Sequence, residues 1–159
     1  MIRTATPDDV PEILAMVREL ADYEKAVHEA RATEEQFLAA LFGPNPAARA
    51  LIAETESGAI AGFALWYPTF STWRGVPGIH LEDLYVRPAH RGGGHGRALL
   101  AELAGICADR GWQRLEWAVL RWNEPTIAFY RSLDAEPLTE WETYRLTDGP
   151  LARLAAEAR

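Results

Sequence analysis

Cysteine is almost missing: Cys107 is the only one in 159 residues. That excludes an internal disulfide framework and a cysteine-built zinc site. A reducing cytoplasm is the simplest home for such a chain. Histidine is sparse, and His28, His80, His90 and His95 are scattered without metal-ligand spacing, so no metal is expected. No apolar run is long enough to span a bilayer, and no basic-then-apolar segment opens the chain. No membrane association is therefore expected. Positive charge is in deficit, with 16 Lys and Arg against 23 Asp and Glu and a net charge of −7. A broad nucleic-acid footprint is not expected from that balance. An acidic surface draws cationic partners, and it also serves solubility. There is no repeat, low-complexity tract or linker. With 48% hydrophobic residues, one domain over 1–159 with a real core is expected.

What is there alternates between strand and helix patterns. Ile2 to Ala5 reads as a first strand. Thr6-Pro7-Asp8-Asp9 has a hydroxyl for capping, a proline just inside and acids in the first turn, which marks a helix start. Val10, Ile13, Leu14, Val17 and Leu20 then share one helical face. Thr33 to Gln36 has capping-box spacing and opens a second helix that Gly43-Pro44 stops. Ala50 to Ala53 and Ile60 to Trp66 read as strands joined by a hairpin at Ser57-Gly58. Ile79 to Val86 is a strand, followed by a glycine run and a helix over about Arg97 to Arg110 with Gly111 after it. Leu115 to Leu120 predicts a strand, Asn123-Glu124-Pro125 a helix start, Trp141 to Leu146 a late strand, and Leu151 to Ala158 a terminal helix. The order β-α-α-β-β-β-α-β-α-β predicts a mixed α/β or α+β fold, with helices on both faces of the sheet.

The run Arg91-Gly92-Gly93-Gly94-His95-Gly96-Arg97 stands between a strand and a helix. Glycine costs backbone entropy in ordered structure, so four of them in five positions mark a need for bare main chain. Ahead of a helix, such a loop offers unpaired N–H groups and partial positive charge to an anion. A Walker loop needs Lys and then Ser or Thr after its last glycine, and here Arg97-Ala98 follows. The dinucleotide fingerprint places its last glycine where Arg97 or Leu99 stands. What remains is R-x-x-G-x-G, a loop whose expected occupant is an anion. A second constellation, Trp122 to Tyr130, gives Asn123 as a cap, Pro125 in the first helical turn and Tyr130 two turns in.

Together "HLEDLYV" (80–86), "RGGGHG" (91–96), "NEPTIAFY" (123–130) and "ELADYE" (19–24) resemble the GCN5-related N-acetyltransferases (GNAT), and within them the spermidine/spermine, or diamine, branch. The resemblance implies a mixed, mostly antiparallel twisted sheet of six to seven strands flanked by helices. It implies acetyl-CoA as co-substrate and a cytoplasmic homodimer. Leu84, Tyr85 and Val86 would offer backbone to the pantetheine. Arg91, Gly92, Gly93, Gly94, His95, Gly96 and Arg97 would hold the pyrophosphate. Asn123, Pro125 and Thr126 would line the coenzyme. Tyr130 would be the general acid, and Glu82 would assist deprotonation of the amine. Tyr23, Glu24, Glu82 and Glu142 would line the amine channel. His95 replaces an apolar residue of the family motif, and Trp141 stands where the branch tends to carry a second acid beside Glu142.

The chemistry needs these groups. An alkyl ammonium has a pKa of about 10.4, so freeing its lone pair near pH 7 costs about 4–5 kcal/mol. Desolvation, a proton path, or both must supply that. A bare carboxylate near 4.3 is a poor direct base, which makes Glu82 a relay anchor and cation site unless burial raises its pKa. His80, two residues before Glu82, shares its strand face. Trp66, Tyr67, Phe70 and Trp73 could wall a cleft for an ammonium group. Cys107 reads as a small core residue. The expectation is direct acetyl transfer to the primary amine of a small cationic substrate: a diamine, a polyamine or a lysine-like amino acid. Two alternatives are an acetyltransferase for an antibiotic or protein amine, and a CoA-binding regulator without turnover.

Overall fold

A computed structural model describes residues 1–158. Among them the chain divides into two compact units, Met1–Leu120 and Arg121–Arg159 with its last residue outside the description. The first unit is built on a sheet of five strands in sequence order: β1 (Ile2–Thr4), β2 (Arg49–Glu54), β3 (Ile60–Ser71), β4 (Val76–Val86) and β5 (Leu115–Trp117). Neighbours pair antiparallel except β4 and β5, which are parallel.

Two helices precede β2: α1 (Val10–Tyr23), entered through a 3-10 turn at Pro7–Asp9, and α2 (Glu34–Phe42). The capping box of α2 forms as its spacing predicts. Thr33 N–H donates to Gln36 Oε1 at 3.0 Å, and Gln36 N–H donates to Thr33 Oγ1 at 3.2 Å. At the 3-10 turn Thr6 and Asp9 form a capping box. The Asp9 carboxylate accepts from Thr6 N–H at 2.7 Å and from the Thr6 hydroxyl at 3.0 Å.

The apolar stripe of α1 meets the sheet as its period requires. Val10, Ile13 and Met16 join Leu41 of α2, Ala50 and Ile52 of β2, Phe63 and Leu65 of β3, and Tyr85 of β4 in one buried cluster. Val17 and Leu20 pack against it, half-buried. The opposite face of the sheet receives α3 (His95–Arg110), which buries Leu99, Leu100, Leu103 and Cys107. Cys107 is a core residue with its thiol pushed up by burial, which suits packing and not nucleophilic attack. At one edge Arg3 donates to both oxygens of Asp9 at 2.7 and 2.8 Å and to Glu54 at 2.6 Å. The guanidinium holds the Asp9 carboxyl down at about 2.

The second unit carries α4 (Glu124–Arg131) and α5 (Asp148–Ala156). The sheet has five strands among the described residues, not six to seven: Trp141 to Leu146 forms no strand, and β5 stops at Trp117 instead of Leu120. An alternating pattern fits a pleat, but a strand exists only where its amides and carbonyls meet a partner's edge. Here Trp141, Tyr144 and Leu146 stay exposed.

Candidate active site

β4 is the element that organises the first unit's site. Its pairing with β3 slips once: Leu65 faces Asp83 and Trp66 faces Leu81, which leaves Glu82 as the extra residue of a β-bulge. A bulge bends its strand and re-aims the side chains around it. Parallel pairing with β5 covers only Ile79, His80 and Leu81. From Glu82 onward, that edge of β4 has no strand partner among the described residues. Leu84, Tyr85 and Val86 lie on this stretch, with Tyr85 buried and the other two half-buried.

Past Val86 the chain makes a 3-10 turn at Pro88–His90 and enters the glycine loop. Gly92 and Gly94 have φ of 79° and 80°, in the left-handed region that L side chains avoid. A Cβ at either would meet nothing within 4 Å, so the loop borders open space. The helix begins at His95, two residues earlier than its pattern predicts, with Gly94 as N-cap and no side chain capping it. The first-turn amides of α3 are therefore not consumed by a capping side chain. The His95 ring lies back over the loop, where its Nε2 would sit 3.6 Å from a Cβ on Gly93. Arg91 and Arg97 flank the loop, both exposed. Arg91 Nε–H donates to Val86 O at 2.9 Å. Bare main chain, an uncapped helix start and two arginines make a donor set that fits a diphosphate.

A residue that the sequence reading left out supports this corner. Arg87 reaches α1, meeting Glu12 at 2.8 Å and Glu19 at 3.2 Å. It pins the end of β4 just before the loop turns. No local pattern announces it, because Glu19 lies 68 residues away in sequence.

The bulge region is acidic. Glu82 is over half exposed, and its Oε2 lies 3.6 Å from His80 Nε2, so the two share a side. The rings of His80 and Tyr67 are 5.0 Å apart, and Tyr67 is held above its ordinary pKa by burial and by Glu82. Asp83 behaves differently. Burial, then the charges of Glu82 and Glu24, push its carboxyl up to about 6. Burial also raises Glu24. Of the aromatic residues expected around a cleft, Trp66 is buried, with the Arg49 guanidinium 5.3 Å from its ring. Phe70 and Trp73 are exposed at the β3–β4 hairpin. Tyr23 stands with the loop: its ring centroid is 5.5 Å from the Arg91 guanidinium carbon, and that of Tyr85 is 5.6 Å from it.

In the second unit, Asn123 occupies the N-cap position of α4 and is buried, but its side chain makes no capping hydrogen bond. Its carbonyl accepts from Ile127 N–H at 3.0 Å. Pro125 and Thr126 lie in the first turn, and Tyr130 stands in the last turn with its ring 5.6 Å from that of Phe129. Glu142 is exposed, in a segment without regular structure. Among the described residues no cluster of three His, Cys, Asp or Glu could hold a metal ion, and no helix is long and apolar enough to cross a membrane.

A strand ending in a glycine-rich loop, an uncapped helix and an open strand edge make an anion-binding corner, and the family comparison says which class of enzyme it belongs to. Residues 13–134 match the model of the acetyltransferase (GNAT) family, and the chain belongs to that family. It is an N-acetyltransferase, and GNAT acetyltransferases use acetyl-CoA as co-substrate. Among its relatives, thialysine N-epsilon-acetyltransferase of Bos taurus is 36% identical, over 99% of this chain and 98% of that protein. The Caenorhabditis elegans enzyme of the same name is 38% identical over 98% and 97%. Spermidine/spermine N(1)-acetyltransferase-like protein 1 of Homo sapiens is 34% identical over 98% of this chain and 24% of that protein. Among solved structures, an integron cassette protein of V.cholerae superposes with a TM-score of 0.80 at 26% identity, covering 98% of this chain and 96% of that one.

Proposed function

We propose that this N-acetyltransferase acts on the primary amine of a small cationic substrate, a lysine-like amino acid such as thialysine or a di- or polyamine. The observation that carries the reading is the placement of Asp83. It is a half-buried carboxylate with Glu24 and Glu82 close enough to act on its charge, and it sits where the free edge of β4 begins. A cationic amine is the natural counter-ion for such a group. The same carboxylate, raised to about 6, is better matched to taking an ammonium proton near neutrality than an ordinary one near 4. The role expected of Glu82 is thereby shared: Asp83 receives the proton, while exposed Glu82, beside His80, passes it toward solvent.

The coenzyme supplies an activated acetyl thioester. Leu84, Tyr85 and Val86 offer main chain to its pantetheine arm, and Arg91 to Arg97 hold its diphosphate. Asn123, Pro125 and Thr126 line it. With the coenzyme bound, the freed amine would take the acetyl group directly as the carbon–sulfur bond broke; Tyr130 would give its phenolic proton to the departing sulfur and regain one from the newly acylated nitrogen. Glu24 and Glu142 line the amine channel, as the family pattern suggests. The reading includes a homodimer in the cytoplasm, for which light scattering and fractionation are the checks.

Acetyl-CoA turnover across thialysine, lysine, putrescine, spermidine and aminoglycosides tests the substrate class. Thialysine or a diamine should give the highest kcat/KM, and a preference for an aminoglycoside would reverse the assignment. Replacing Tyr130 with Phe should lower kcat about a hundredfold or more, with coenzyme affinity nearly unchanged.

A further inference from the structure

The end of α1 is a fixed turn. Lys25 N–H donates to Asp22 O at 3.0 Å and Ala26 N–H donates to Ala21 O at 2.8 Å, with Lys25 at a φ of 59°. These are the two bonds of a Schellman helix end. They hold Tyr23 and Glu24 on one short piece of rigid backbone. The two neighbours serve different surroundings. Glu24 lies close enough to Asp83 to raise its pKa. Tyr23 instead places its ring 5.5 Å from the guanidinium carbon of Arg91, the first residue of the glycine loop.

Arg91 is held three ways. Tyr23 comes from α1 and Tyr85 from β4, and Arg91 spends its Nε–H on Val86 O. None of the ion pairs among the described residues engages Arg91. Its two terminal nitrogens are thus left to an incoming anion, and its long side chain is already partly ordered. An arginine on an exposed loop otherwise loses rotamer freedom when it is immobilised, so packing that orders it beforehand favours binding.

We propose that Tyr23 is a positioning residue for the coenzyme: its ring holds the Arg91 guanidinium ready for the diphosphate, so that the end of α1 serves the coenzyme through Tyr23 and the amine through Glu24. The proposal rests on the reading of the glycine loop as a diphosphate site, and it reassigns Tyr23 from the amine channel.

Calorimetry with coenzyme A and no amine present is the test. Tyr23→Leu should bind coenzyme A about fivefold more weakly than the native protein, the size expected for one exposed cation–π contact together with lost pre-ordering. Tyr23→Phe, which keeps the ring, should bind within about twofold of native. In an Arg91→Ala background, Tyr23→Leu should add nothing. Because Tyr23 is over a third exposed, circular dichroism of both variants should match the native spectrum. If Tyr23→Leu binds coenzyme A like the native chain and only the KM for the amine rises, Tyr23 serves the amine and the proposal is overturned. It also fails if the Phe variant is as weak as the Leu variant, or if the two substitutions are additive. Native protein that takes up no coenzyme A overturns the diphosphate reading itself, a result distinct from an unaltered Tyr23→Leu affinity.

Discussion

The two units of the chain hold their shape by different means. In Met1–Leu120, apolar side chains are layered on both faces of the sheet, and every buried hydrophobic side chain among the described residues belongs to this unit. Among the described residues of the second unit the one buried residue is polar, Asn123, while Leu138, Trp141, Tyr144, Leu146, Leu151 and Leu154 are exposed. Substitution should therefore be costly in the first unit and cheap in the second. The first unit also keeps two carboxylates far from their ordinary behaviour, one held low and one pushed high.

The largest effect tests the core directly. Phe63 is wholly buried in the cluster between α1 and the sheet, so Phe63→Ala should cost about 3–5 kcal/mol in urea unfolding. Tyr144, 91% exposed, should tolerate Ser within about 0.5 kcal/mol. Equal losses would erase the contrast between the units.

Next in size is the Arg3–Asp9 pair. Asp9 is held at about 2 against an ordinary 3.8, so its ionised form favours the folded state. That contribution, about 2 kcal/mol, is fully present above pH 4 and is lost as pH falls toward 2. Asp9→Asn should lose it at pH 7 and flatten the acid limb of stability against pH.

Asp83 runs the other way. With a folded value of about 6 above an unfolded value of 3.8, the folded state binds the extra proton, so stability falls as pH rises from about 4 to 6. Asp83→Asn should remove that decline and stabilise the protein by about 1–2 kcal/mol at pH 7. It should also lower kcat/KM for the amine, and denaturation and rate assays on one sample separate the two effects.

The smallest effect belongs to the second unit. Asp134 ends α4 at a φ of 59°, with Asp134 N–H donating to Arg131 O and Ala135 N–H to Tyr130 O. Asp134→Gly relieves the left-handed conformation and should raise stability by about 0.5–1 kcal/mol in thermal unfolding.

Much of the first unit was legible because its signals are local. The apolar period of α1, the Thr33–Gln36 box, the turn at Ser57-Gly58 and the glycine run each declare themselves within a few residues. The glycine loop and the start of α4 were legible as structure for the same reason, since a loop and a helix start declare themselves in adjacent positions. What the sequence hid depends on distance. Arg3 meets Glu54 across 51 residues, and Arg87 meets Glu19 across 68. The bulge at Glu82 is a matter of register with β3, which no property of β4 alone reveals. It decides how Glu82 and Asp83 divide between solvent and interior. The late strand failed for the converse reason: Trp141 to Leu146 has the right alternation, but pattern does not supply a pairing edge.

The start of α3 forgoes a cap, and a side-chain cap would contribute about 1 kcal/mol to a helix. If the acyl carrier fills those amides as proposed, part of the molecule's durability is on loan from its surroundings: a carrier at a hundred times its dissociation constant lends about 2.7 kcal/mol, which thermal unfolding with and without coenzyme A would read.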